Sequence, residues 1–317
     1  MALRPDGTSR SYAAGMPATA RAAGAAGTAD VAGAAGAAGT AGAWAADLGR
    51  DGYAVLPALL SPAEVHAVRP VVERLLAGPL DAGCARPNNT LVPLRWDDSP
   101  VAAVVADERR VRRLAAAVGA RDLRWISGYV SVKQPRSLPL WWHQDWWCWQ
   151  HPVSYRSGAA QVALLCYLIG TDEHTGALRV LPGSHAAGTP LHAVLPAAHR
   201  DPVTGDDPRH PAMSDQPGQV TLRLRAGDAV VMDYRLLHGT HANRGVHRRD
   251  ALLLNFAPCW RELPPEIRAH LIRHPALPAD GELMPATGWA ADLLPRFDGL
   301  RRDLELDRDA PAEFTIG

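Results

Sequence analysis

Apolar positions change period part-way along this chain. Between Ser61 and Leu76 they recur at Val65, Val68, Val72 and Leu75–Leu76, the spacing of one helix face. Ser61-Pro62-Ala63-Glu64 supplies the start signal: a serine cap, a proline in the first turn and a glutamate placed to close a capping box. A short strand is expected at Tyr53–Leu56, a loop over 82–100 and a second helix over 107–118. From Leu123 the apolar runs shorten, and Gly, Pro and Asp punctuate them. Candidate strands are 123–133, 141–148, 160–169, 177–181, 219–224, 228–233 and 250–257, before a helical pattern returns at 262–273. Helices first and many short strands after predict a mainly β fold with flanking helices, a barrel or jelly roll buttressed by N-terminal helices.

The ends and one interruption stand apart. Residues 1–46 are rich in Ala and Gly, with no apolar stripe to bury, and are expected to be a disordered extension. The globular domain is then 47–317, long enough for a large core. Within it, 186–217 is rich in Pro, Asp and His; an insertion of that length usually serves function, and a lid is expected.

Thirty-three basic and 33 acidic residues leave a formal net charge of zero. No global field favours nucleic acid or an anionic membrane, so neither is an expected partner, and a small molecule is. No stretch reaches the ~20 apolar residues needed to span a bilayer, and no basic-then-apolar leader is visible. Cys84, Cys148, Cys166 and Cys259 lack C-x-x-C spacing. Reduced thiols in a cytoplasmic protein are the expectation. Oligomeric state is not legible. Lys133 is the single lysine, against 32 arginines, and five of the ten tryptophans fall between Trp141 and Trp149.

Candidate chemistry starts at His143-Gln144-Asp145. Residues two apart on a strand share a face, so this histidine and aspartate can both face a barrel interior, about 7 Å apart at Cα. One further imidazole would complete a set that suits ferrous iron and leaves three positions open, two for an α-keto acid and one for dioxygen. Alone, an H-x-D pair is weak in a chain with 13 histidines. Three further segments accompany it: Gly176–His185, Ala226–Asp233, and His238-Gly239-Thr240-His241-Ala242-Asn243 followed by Arg248-Arg249.

With these motifs, and with Asp51-Gly52-Tyr53 through Leu60-Ser61-Pro62 ahead of them, the chain resembles the phytanoyl-CoA dioxygenase family, including its ectoine-hydroxylase branch, over about Asp51 to Trp260. The resemblance implies a double-stranded β-helix, jelly-roll or cupin-like, with iron at one mouth. It implies His238 as the second imidazole, 2-oxoglutarate as cosubstrate with dioxygen, and Arg249 as its carboxylate anchor with help from the Thr240 hydroxyl. Strand alternation alone leaves Arg248 and Arg249 open as the inward residue. Lys133 resembles the family's Lys-Pro strand end near the cosubstrate, and Tyr129 shares its face by alternation. Trp149 resembles an aromatic that touches substrate in the ectoine branch. If the strand persists, Trp141, Trp147 and Trp149 face the metal while Trp142 and Trp146 pack away.

The reaction so implied oxidises an unactivated C–H bond of a small-molecule natural product, with a saccharide or aminocyclitol metabolite as the favoured substrate, and releases succinate and CO2. Two alternatives compete. Zinc on the same three ligands would make a hydrolase, which has no need of Arg249 and Lys133. A barrel that binds a small molecule without turnover has no need of the metal ligands. His241 and His247 read as loop residues; His151, His174 and His185 as surface or supporting groups. His192, His199 and His210 lie in the insertion.

Overall fold

The computed structural model describes residues 39–79, 85–86, 89–195, 210–279, 282 and 287–316. Helix α1 (Ala41–Asp51) begins at a Thr40 cap and buries Trp44 and Leu48. Residues 41–46, expected within a disordered extension, are helical: Trp44 and Leu48, four apart, supply an apolar stripe that the Ala/Gly composition hid. Residues 1–38 lie outside the described residues.

Strand β1 (Tyr53–Leu56) follows. Helix α2 (Pro62–Ala77) starts on the expected capping box: Glu64 N–H donates to Ser61 Oγ at 3.3 Å, and Ser61 N–H to Glu64 Oε2 at 2.8 Å. Strands β2 (Ala85–Arg86) and β3 (Asn89–Leu94) occupy the region expected as loop. Asn89-Thr90-Leu91-Val92-Pro93-Leu94 does alternate; the two-residue edge strand β2 pairs only with Asn89 and Thr90, and Pro93 stands opposite Tyr129 of β4 beyond it. Helices α3 (Ser99–Val105) and α4 (Glu108–Ala117) precede the long strand β4 (Arg124–Lys133). The remaining strands are β5 (Leu140–His143), β6 (Val162–Tyr167), β7 (Leu178–Val180), β8 (Val220–Leu222), β9 (Ala229–Asp233), β10 (His238–Thr240) and β11 (Arg249–Ala257). Helices α5 (Pro265–Leu271) and α6 (Trp289–Leu293) close the order.

Two antiparallel sheets face each other in a jelly-roll, double-stranded β-helix. The larger runs β1-β9-β6-β11-β4-β3-β2 and the smaller β5-β10-β7-β8. Strand β6 explains the layering. Val162, Leu164 and Cys166 pack with the helices' Val65, Val68 and Leu114. The alternate residues Ala163, Leu165 and Tyr167 turn inward with Leu178, Val180 and Met232. Burial on both faces accounts for its unbroken apolar run. Among the described residues, no helix is long and apolar enough to cross a membrane.

Candidate active site

The strand expected over 141–148 stops at His143. His143 ends β5 and pairs in register with His238, which begins β10. Past His143 the backbone leaves the sheet, and the amides of Asp145 and Trp146 both donate to the Tyr234 carbonyl, at 2.8 and 2.9 Å. That turn swings the Asp145 carboxylate between the two imidazoles. Ligand atoms of His143, Asp145 and His238 lie within 4.8 Å of one another. The Nε2 atoms of His143 and His238 stand 3.8 and 3.7 Å from the Asp145 oxygens.

Each imidazole is oriented by its own chain. His143 Nδ1 lies 2.9 Å from the Trp141 carbonyl, and His238 Nδ1 lies 3.0 Å from the Leu236 carbonyl. A carbonyl can only accept, so both Nδ1 atoms carry the proton. Both Nε2 lone pairs then face the carboxylate, the tautomer a metal requires.

From this cluster an apolar cavity of about 80 Å³ runs inward, walled by Leu165, Leu178 and Met232 and reaching Thr240 and Arg249. Arg249 is 2% exposed and its guanidinium carbon lies 5.5 Å from the Tyr167 ring centre. Its Nε is buried without a hydrogen-bond partner. Leaving a buried cationic donor unmatched is costly, so an anionic ligand fits there. Arg248 turns the other way, onto Asp250 at 2.9 Å and onto Glu73. The register thus settles which arginine points inward. Thr240 Oγ1 accepts from the Leu140 amide at 3.3 Å.

Lys133 pairs in register with Arg249 and is fully buried. Its Nζ donates to the Leu138 carbonyl at 2.7 Å, and it is not among the residues lining the cavity. Burial, then the charges of Arg249 and Arg179, pull its pKa down to about 7. Tyr129, on the same face, lies further along β4 and lines a second chamber, its hydroxyl 3.2 Å from His274 Nε2.

The tryptophans divide differently from the expectation. Trp141 lines the cavity, its ring centre 6.3 Å from that of His143. Trp147 lines the second chamber beside Asp145. Trp149 does not face the metal cluster: it is 1% exposed in a core where Phe314 lies 4.9 Å away. Alternation failed because the strand ends six residues before it. Trp142 and Trp146 are buried, their indoles donating to Ser214 O and Ser154 Oγ.

His241 bonds Thr221 Oγ1 at 2.8 Å rather than joining the cluster. His185 is buried beside the Gly49 carbonyl, not at the surface. Of the expected lid, 186–195 and 210–217 are described, and 196–209, with His199, lie outside the described residues.

Arg179 lies within the Gly176–His185 motif but was not singled out there; it is 1% exposed, sits 4.7 Å from the Trp142 ring centre and holds Asp215 at 3.1 Å and the Met213 carbonyl at 3.1 Å. Nor did the sequence mark Asn255, His270 and Arg308 in the second chamber. Ser131 was within reach of alternation from Lys133, and it lines the cavity beside Asn89.

Two imidazoles and one carboxylate are the donors ferrous iron accepts while keeping positions open for a keto acid and dioxygen. On this jelly roll they define a non-haem iron, 2-oxoglutarate-dependent dioxygenase. The chain belongs to the phytanoyl-CoA dioxygenase (PhyH) family, which it matches over residues 48–251. It is 28% identical to an ectoine dioxygenase of Nocardia farcinica, across 65% of this chain and 74% of that one. It is 29% identical to the L-proline trans-4-hydroxylase of Streptomyces griseoviridis, across 66% and 83%. Among solved structures, HygX from Streptomyces hygroscopicus, with nickel, 2-oxoglutarate and hygromycin B bound, shares the fold at a TM-score of 0.50 and 21% identity, over 67% of this chain and 84% of that one.

Proposed function

We propose that this enzyme oxidises an unactivated C–H bond of a small-molecule natural product, using iron held by His143, Asp145 and His238 and releasing succinate and CO2 from 2-oxoglutarate. The observation that carries the reading is the pairing of the three-ligand cluster with a buried arginine along one cavity. A zinc hydrolase would use the cluster and leave Arg249 without purpose. A non-catalytic binder would need neither.

With iron bound there, the chemistry supplied is oxidation by dioxygen, coupled to decarboxylation of the keto acid. The chain's own part is positioning. Arg249 offers a fixed fork of donors to the distal carboxylate of the cosubstrate. Thr240, whose oxygen already accepts from Leu140 N–H, turns its own hydroxyl proton toward the same carboxylate. Leu165, Leu178 and Met232 keep water from the space between. Lys133 backs Arg249 with a second cation that costs little while neutral and gains its charge as the dianion enters. Trp141 and Trp147 border the place where substrate meets the metal cluster. A saccharide or aminocyclitol metabolite is the narrower substrate reading.

The test is succinate formation from 2-oxoglutarate by the purified protein with added Fe(II). It should vanish in His143→Ala, Asp145→Ala and His238→Ala, with melting temperatures kept, and persist in His241→Ala. Activity in any triad variant, or zinc-dependent hydrolysis in its place, defeats the proposal.

A further inference from the structure

Strand β11 carries one inward face past two cavities. Arg249, Ala251, Leu253 and Asn255 are each two apart and share that face. Strand β4 lies beside it in register, with Lys133 opposite Arg249, Tyr129 opposite Leu253 and Ser127 opposite Asn255. Leu253 lines the metal cavity and also the second chamber, of about 220 Å³, and Asp145 borders both. At a strand rise of ~3.3 Å per residue, Arg249 stands about 13 Å to one side of Leu253 and Asn255 about 7 Å to the other. The ladder changes step just past that end: Asn255 faces Ser127, but Phe256 faces Trp125, so Ile126 is the extra residue of a bulge. Ile126, Ser127 and Asn255 all line the second chamber.

Ser127 and Asn255 form a buried pair whose hydrogen bonding is incomplete. Asn255 is 2% exposed; its Nδ2 donates to Ser127 Oγ at 2.8 Å, while its Oδ1 is buried without a partner. Among the described residues, the Ser127 hydroxyl proton meets no acceptor. Turning the amide over would give that proton to Oδ1 and leave an Nδ2–H and a serine lone pair in its place. In either orientation the pair keeps one donor and one acceptor unspent. Neighbouring polar groups are engaged: Gln161 Oε1 accepts from the Trp147 indole at 3.0 Å, and His270 Nδ1 accepts from the Leu304 amide at 3.2 Å. Among the described side chains lining the chamber, only Asn255 holds a fully buried polar atom without a partner.

We infer that Ser127 and Asn255 are the specificity-determining pair of the second chamber and seat a cyclic substrate by a ring hydroxyl, on the side of the metal cluster away from Arg249. The inference deepens the oxygenase reading above and rests on it. A buried polar atom left unmatched is costly, and the same imbalance marks Arg249 for the cosubstrate. Here the pair carries no charge. It needs a donor and an acceptor close together, which a hydroxyl supplies from a single oxygen. Leu91, Leu253, Leu271 and the Trp147 ring leave apolar space beside it, which suits a saturated ring. The hydroxyl so held lies across the ring from the C–H bond presented to the metal cluster.

The experiment uses the full chain loaded with nickel and 2-oxoglutarate, titrated calorimetrically with cyclohexanol and cyclohexanone at millimolar concentration. The two match in size, and the ketone lacks only the donor. Cyclohexanol should bind about tenfold tighter, the worth of one hydrogen bond to a buried acceptor. In Ser127→Ala/Asn255→Leu the alcohol should fall to the level of the ketone and the ketone should hold, with a melting temperature no lower than wild type, because the unmatched atoms leave together. Ser127→Ala alone should lose most of the preference, and Ser127→Thr should keep it. Equal binding of the two by the wild type overturns the inference, as does failure of both to bind or a preference that survives in the double variant. A double variant that melts several degrees lower and loses both ligands equally assigns the pair to structure and overturns it too. Substrate-free succinate formation by the wild type is measured separately and tests only the oxygenase reading.

Discussion

Lys133→Met should stabilise the cosubstrate-free protein, and more so at pH 7 than at pH 8.5. The lysine is fully buried and its pKa lies near 7 against an ordinary 10.5, through burial and through Arg249 and Arg179. Between those two values the unfolded chain holds the proton and the folded chain has released it. Stability therefore rises with pH across that window, and the penalty is fully present below pH 7. Each tenfold change in proton affinity is worth about 1.4 kcal/mol. From pH 7 to 8.5 this one group should add roughly 1.5 kcal/mol, or a rise in melting temperature of about 3–6 °C at ~2–4 °C per kcal/mol. Methionine keeps an unbranched stem and removes the charge, so it loses that slope. It also leaves the Leu138 carbonyl without its donor, a cost that is the same at both pH values and cancels in the comparison. The upper limit of pH 8.5 matters, because the buried Cys148 and Cys166 thiols are pushed up from 9.0 to about 12 and lower stability above pH 9. The assay is scanning calorimetry of both proteins at pH 7.0 and 8.5 in the same salt. A melting-temperature difference between the two proteins that is identical at both pH values would refute a neutral buried lysine.

Arg249→Ala should raise the Michaelis constant for 2-oxoglutarate by roughly 10- to 100-fold, since a hydrogen bond to a charged group is worth ~1.5–3 kcal/mol; an unchanged constant in steady-state kinetics removes Arg249 as the anchor. Gly176→Ala should lower the melting temperature by several degrees: its φ is +81°, and an added Cβ would sit 2.6 Å from Lys133 Cδ, with left-handed backbone alone costing about 1–2 kcal/mol. In hydrogen exchange, the amides of Gly188 and Met213, which donate to Phe314 O and His210 O, should be protected with or without ligand; fast exchange at both would refute these anchors.

What was legible in the sequence follows the range of the interactions involved. Tyr53–Leu56 and the Ser61 capping box involve residues three or four apart, and both stand where the pattern put them. Strand β3 was missed because its partners are β2 and β4, and polar residues with a proline mask the alternation. The strand through His143 was drawn too long because nothing local announces its end. What ends it is the Tyr234 carbonyl, 89 residues on, taking the amides of Asp145 and Trp146. That single error misplaced Trp149.

The same division runs through the site and explains why its metal end is so compact in sequence. Both imidazoles are aimed by a carbonyl two residues back, Trp141 for His143 and Leu236 for His238. A strand end can supply this device by itself, so a short motif suffices to carry it. The anchor is intermediate: Arg249 is fixed by its register against Lys133, and spacing from the second histidine hints at it without excluding Arg248. The second chamber stands at the other extreme. Arg308 owes its place to a C-terminal segment pairing with residues 147–149 and 186–188, and His270 and His274 to the helix after β11 and the turn behind it, and no local spacing encodes that. The metal ligands therefore sit in contiguous motifs, and the wall of the neighbouring chamber is assembled by long-range packing.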